Sequence, residues 1–293
     1  MFTLKIENPL GEIIELTHDE GRYQVIDVDG LAPPNATITN TQIAGMDGSR
    51  YASAKLEERN MTLLVKINGN VEKNRLALYR YFGTKQWCKI YYKNGSRDVY
   101  AEGYVETTEC GLFTNDEQMQ VSVICPDPYF YAMHEVWNDI SQVLGLFEFP
   151  FAFGAKGVED DTITDDAIEF STYVKDRVVN VLNEGEADTG VIIDIVATGT
   201  VVNPIIYNVT TRESFGFKIT LQKGDEVTID TNSGRKSIRR LSEGIETSLI
   251  NKVTRGSTWL ALTMGENLMS YSADEGAEDM SIIFKHRSKY KAV

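Results

Sequence analysis

At 293 residues the chain is longer than one hydrophobic core usually organises, so two domains are the first expectation. A composition of 42% hydrophobic and 25% charged residues excludes a disordered polypeptide. With 29 Lys and Arg against 43 Asp and Glu the formal charge is −14, which speaks against sequence-specific nucleic-acid binding and against adhesion to an anionic membrane.

Glu7, Gly11 and Glu12 come so early that no secretory leader is expected. The apolar run at 191–202 is broken by Asp194, Thr198 and Gly199 and is too short for a membrane span. Along the chain most segments read as strands. The first clear departure follows a strand at 61–67: Asn70 can cap a helix over 71–82, with Glu72 in its first turn and Gly83 just beyond it. Helical spacing puts Val71, Leu78 and Phe82 on one stripe, flanked by Tyr79, which a sheet face would bury. A strand at 86–92 follows. At 118–124, Met119, Val121 and Val123 alternate with Gln118, Gln120 and Ser122, the signature of a strand with one packed face. Cys88, Cys110 and Cys125 are odd in number and widely spaced, and read as reduced, buried small hydrophobes.

Pro126 and Pro128 close this first unit. An aromatic stretch at 146–153 and an acidic one at 159–166 read as a connector. From residue 171 strands resume, with turn signals at 183–185, 198–199, 222–225, 232–234 and 264–267, the spacing of an antiparallel sandwich. Phe215, Phe217, Ile219 and Leu221 alternate up to a turn at Lys223-Gly224-Asp225, and Val227 and Ile229 alternate after it, which predicts a hairpin. The organisation is thus 1–130, a connector at 131–170, and 171–293.

Little in the sequence points to catalysis. His18, His134 and His286 sit in unrelated contexts, and no Gly-x-Ser-x-Gly elbow occurs. The acidic groups at 159–166 and 274–279 lack the spacing of a calcium loop and read as solvated loops. Lys236, Arg239 and Arg240 are balanced by Glu243 and Glu246. No catalytic, cofactor-binding or metal-binding residue is expected, and the chain reads as a non-enzyme. Trp259 is the candidate sugar-stacking aromatic, although the surrounding 257–262 reads as a packed strand.

The segment Tyr23-Gln24-Val25-Ile26-Asp27-Val28-Asp29-Gly30-Leu31-Ala32-Pro33-Pro34 resembles the opening of the siphophage distal tail proteins, a phage tail-component family. In the same order come Met46-Asp47-Gly48-Ser49-Arg50-Tyr51, Glu58-Arg59-Asn60-Met61, Gly69-Asn70-Val71-Glu72, Gly103-Tyr104-Val105-Glu106, and the run from Gln118 through Cys125-Pro126-Asp127-Pro128 to Phe130. Asn183-Glu184-Gly185-Glu186, Asn203-Pro204, Gly224-Asp225-Glu226-Val227, Gly256-Ser257-Thr258-Trp259-Leu260 and Gly265-Glu266-Asn267 extend the resemblance over nearly the whole chain.

The resemblance implies a mainly β protein. Its first domain would be a β-sandwich, tail-tube-like, with one helix, and its second a galectin-like or carbohydrate-binding-module-like sandwich. It implies a homo-hexameric ring at the end of the tail tube, touching the tail tube protein above and the tail-associated hub protein below. The outer domain would hold a receptor-binding protein or touch a cell-wall glycan. The expected location is the virion tail tip, after synthesis in the bacterial host cytoplasm. The polar loop carrying Gly45, Asp47, Gly48, Ser49 and Arg50 is the expected ring-contact arm. The alternative is a carbohydrate-binding adhesin working through the second sandwich.

Overall fold

The computed structural model describes residues 2–19, 21–111, 117–140 and 178–293. The aromatic and acidic stretches of the expected connector lie outside them.

Two hydrophobic cores organise the chain. Around the first run β1 (Thr3–Glu7), β2 (Ile13–Leu16) and β3 (Tyr23–Asp29), then a separate hairpin of β4 (Ala36–Thr41) and β5 (Arg50–Leu56). Next come β6 (Arg59–Ile67), the helix α1 (Val71–Leu78), β7 (Trp87–Lys93), β8 (Asp98–Cys110), β9 (Gln118–Cys125) and β10 (Phe130–Ala132). The sheet runs β2-β1-β7-β8-β9-β6-β3. Its two ends meet, because Thr17 just past β2 bridges Gln24 of β3. The Thr17 amide donates to the Tyr23 carbonyl at 3.0 Å, and the Val25 amide to the Thr17 carbonyl at 2.7 Å. One sheet therefore supplies both layers around the core. Alternation assigns the faces: Met61, Leu63, Val65 and Ile67 of β6 point inward with Met119, Val121 and Val123 of β9.

α1 begins where the sequence places it, the Asn70 Oδ1 accepting from the Lys73 amide at 3.3 Å. It is four residues shorter than 71–82, because Tyr79 is already the C-cap. Leu78 and Phe82 are nonetheless buried, with Val71 and Tyr79 packed beside them. Cys88 and Cys125 are buried free thiols, and Cys110 is half-buried. Burial pushes the Cys88 and Cys125 thiols up to about 12, where they stay protonated and unreactive.

The second core is a sandwich. Its strands are β11 (Val136–Asp139), β12 (Val178–Asn183), β13 (Thr189–Gly190), β14 (Ile192–Ala197), β15 (Val201–Val202), β16 (Ile205–Asn208) and β17 (Glu213–Gly216). They continue with β18 (Thr220–Leu221), β19 (Glu226–Asp230), β20 (Ser237–Ser242), β21 (Ile245–Ser248), β22 (Ala261–Leu262), β23 (Gly265–Ser272) and β24 (Met280–His286). A six-stranded sheet β11-β24-β14-β19-β20-β21 faces a four-stranded sheet β12-β23-β16-β17, and β13–β22 and β15–β18 form two further short pairs. Ile193, Ile195, Ile206, Phe215 and Phe284 fill the space between.

The hairpin expected around residues 222–225 is not formed. The turn exists, with the Asp225 amide donating to the Gln222 carbonyl at 3.0 Å. Yet β17 pairs β16, β18 pairs β15, and β19 pairs β14 and β20. Gly216 and Phe217 are both buried, so the chain crosses from one layer to the other instead of continuing as a strand with one wet face.

Two short stretches lie across the boundaries expected from sequence. Residues 136–139 form an edge of the six-stranded sheet, opposite β24. β25 (Lys289–Tyr290) returns from the sandwich and pairs β10 in the first sheet, Tyr290 opposite Phe130.

Candidate functional site

The hairpin β4–β5 stands apart from both cores, pairing within itself, with Ala36 opposite Leu56 and Ile38 opposite Ala54. Every residue of β4 is exposed, and every residue of β5 except the half-buried Leu56. Period-two geometry puts Ala36, Ile38, Ala54 and Leu56 on one face, and Thr37, Thr39, Ser53 and Lys55 on the other. Ile38, Met46 and Tyr51 are 60%, 67% and 63% exposed. A two-stranded ribbon is marginal by itself in water. Among the described residues nothing covers the apolar face of this ribbon.

The five residues expected at a subunit contact sit together at the tip of this arm. Gly45 and Gly48 turn the loop at φ of +83° and +86°. Asp47 and Ser49 are exposed beside them, and Arg50 opens β5 opposite Thr41.

The root of the arm is fixed. The Glu57 amide donates to the Asn35 carbonyl at 2.9 Å across the two legs. Arg59, immediately after them, is 2% exposed. Its Nε donates to the Pro128 carbonyl at 2.9 Å, its Nη1 to the carbonyls of Gly30 and of Ala32 (2.8 Å for the latter), and its Nη2 to the Lys291 carbonyl at 2.6 Å. The guanidinium also lies 4.2 Å from the centre of the Phe130 ring. One planar, five-donor group thus joins the chain entering the arm, the chain leaving the first sheet, and the segment returning from the sandwich.

Further contacts tie the two cores. Arg97 pairs with Glu186 and lies 3.8 Å from the centre of the Tyr290 ring. Glu186 also accepts from the Lys291 amide at 2.9 Å. Arg235 reaches Glu102 at 3.4 Å, and Arg287 donates to the Met133 carbonyl. These contacts keep the arm's root in register with the sandwich.

His286, at the last residue of β24 before this junction, is buried. Burial pulls its pKa below the ordinary value, against the opposing influence of the Leu182 backbone and the nearby Glu135 and Glu184, and among the described residues neither ring nitrogen has a hydrogen-bond partner. In the unfolded chain the imidazole titrates near pH 6.5. Below that pH the unfolded state binds the extra proton first, so this contribution to stability is present above about pH 6.5 and is lost as the pH falls toward the lower folded value. Denaturant midpoints of the wild type are therefore expected to fall more steeply from pH 7 to pH 5 than those of His286→Leu. Parallel curves would refute the assignment.

Among the described residues no group of three or more His, Cys, Asp or Glu is placed to hold a metal ion. His18 packs near Phe2 and His134 is exposed, each apart from the buried His286 in chain context and surroundings. The basic cluster is dispersed: Arg240 is engaged with Asp225 at 2.6 Å, Arg239 with Glu246 at 3.3 Å, and Lys236 lies over the Trp259 ring. Trp259 itself is half-buried, its ring centre 4.9 Å from that of Phe215, and it packs against the second core. Sequence reading located the arm's tip but missed its strands and the Arg59 anchorage. The alternation Ala36-Thr37-Ile38-Thr39 carried a signal for the first of these.

The family of phage tail proteins with a RIFT-related domain matches residues 12–122, and the C-terminal domain of siphovirus-type tail components matches residues 184–287. Among solved structures, the Dit protein (gp 19.1) of phage SPP1, described as a paradigm of the hub adsorption apparatus in phages infecting Gram-positive hosts, is similar over 99% of both chains, with a TM-score of 0.68 and 15% identity. A chain of the phage P2 baseplate in its activated conformation with Ca is similar over 100% of both chains, with a TM-score of 0.57 and 11% identity. The same baseplate with Sr gives a TM-score of 0.55 and 10% identity. A search of curated proteins finds no match. With one matched segment around each core, together spanning more than half of its length, the chain belongs to the siphovirus-type tail component family.

Proposed function

We propose that this chain is a distal tail protein of a phage or phage-like particle, closing with copies of itself into a hexameric ring between the tail tube and the tail-tip hub. The ring-forming unit is the first sheet, built on residues 1–130 and joined by β25, and the sandwich, which β11 joins ahead of residues 178–288, projects outward, where it can hold a receptor-binding protein. The observation that carries this reading is the amphipathic arm, whose apolar face meets no cover among the described residues. A surface that is not self-complementary joins unlike patches head to tail, and such a contact closes into a ring when the rotation per subunit permits. The net charge of −14 suits a channel through which DNA slides without sticking. The protein is structural: it supplies contacts, not chemistry, and its place is the virion.

Light scattering on a sizing column, alone and with purified tail tube protein, tests this. The wild type is expected at six subunit masses. A variant with residues 42–49 replaced by a two-residue Asn-Gly turn and Ile38→Asp on the arm's apolar face is expected as a folded monomer under both conditions. A wild type that stays monomeric with the tube protein present would defeat the ring reading.

A further inference from the structure

We propose that a groove between β2 and α1 on one copy is the receptor for the β4–β5 arm of the next copy. This rests on the ring reading and names the surface that completes it.

The groove has a volume of about 540 Å³. Ile13, Ile14, Tyr23, Ala77 and Tyr81 give it an apolar wall, and Glu15, Arg22 and Arg80 give it a polar rim. Ile13 is 56% exposed, and Leu76 of α1, four residues before Arg80, is 57% exposed. β2 ends the sheet order, and among the described residues its outer side is bridged only after the strand, at Thr17. An unpaired strand edge beside an apolar trough is the arrangement that accepts an added strand, with the backbone supplying affinity and the trough supplying selectivity.

The arm has the complementary character. It is extended, its outer strand edges are unpaired among the described residues, and one face carries Ala36, Ile38, Ala54 and Leu56. It cannot fill the groove of its own copy. The arm leaves the first sheet at the Asp29 end of β3 and returns at Arg59 of β6. The groove lies at the other end, where Tyr23 begins β3 and its hydroxyl donates to the Asn74 carbonyl of α1 at 3.0 Å. β6 spans this distance with nine residues, about 30 Å at the rise of an extended strand. One donor and one acceptor surface at opposite ends make a heterologous contact, and a closed ring leaves no arm and no groove over, whereas an open string leaves one of each.

The test uses the full chain carrying Ile13→Cys and Ile38→Cys with Cys110→Ser, since the two remaining cysteines are buried. Rings are formed with tail tube protein present, treated with a short bis-maleimide, and run on a denaturing gel. A ladder reaching six covalently joined subunits is expected, with none from either single-cysteine chain. Ile13→Asp is expected to lower the ring fraction at least tenfold while leaving the melting temperature of the monomer unchanged. Rings that survive Ile13→Asp and give no ladder overturn the groove assignment and leave the ring reading standing. Crosslinks that stop at dimers, or that join the groove to the tube protein, overturn it as well. The absence of rings from the wild type removes both.

Discussion

Arg59→Met is expected to destabilise the chain by about 3 kcal/mol, because a methionine leaves four main-chain carbonyls without the charged donor that satisfies them. At the usual size dependence this is a fall in melting temperature of roughly 6–12 °C. The loss is not confined to a global number. Residues 289–293 are held in part through the Lys291 carbonyl, beside the pairing of β25 with β10 and the Glu186 contact, so hydrogen exchange there is expected to rise. Arg59→Lys is expected to recover less than half of the loss. An ammonium is a point charge with three donors, and it cannot reach acceptors on three separate segments in one plane. Equal stability of the Lys variant and the wild type would show that charge alone, not the shape of the guanidinium, holds the junction.

Gly30→Ala carries the second large effect, expected at 2–4 kcal/mol on the scale of positive-φ strain plus a backbone clash. Gly30 sits at φ +87°, and a Cβ placed there would lie 2.3 Å from the Asn60 carbonyl oxygen. Relief requires the backbone to move, and the Gly30 carbonyl that would move is one of the Arg59 acceptors. Urea midpoints should therefore shift with little change in slope, and the double variant Gly30→Ala with Arg59→Met should cost less than the two single losses added together. Gly48→Ala is the control: φ is +86° but nothing lies within 4 Å of the added Cβ, so only the conformational penalty of roughly 1 kcal/mol remains. Similar losses at both positions would mean that contact with Asn60 contributes nothing.

Some of this architecture was readable in advance and some was not, for identifiable reasons. The alternation at Met119, Val121 and Val123 survives as an inward face because β9 has one side on a core, and the cap at Asn70 survives because its partner is three residues away. Turn chemistry at 222–225 is equally local and equally present, yet the hairpin inferred from it fails. A turn fixes where a chain reverses and leaves open which strand each leg will join. Gly45, Asp47, Gly48 and Ser49 marked a turn at the arm's tip, whereas its strands, which face no core, left only the short alternation at 36–39. Arg59 was beyond reach altogether. Its acceptors are carbonyls, which every residue supplies, so no residue type marks them.

The pairing of Tyr290 with Phe130, and the bond from Arg59 to a carbonyl 232 residues further on, set an order of events during synthesis. A chain emerging from the ribosome cannot finish its leading half when that half has been translated; it must wait for the trailing strand to arrive. Until then Arg59 lacks one of its four carbonyl acceptors. If the proposed ring forms, a truncated chain lacking residues 289–293 would enter it with the junction at Arg59 incomplete.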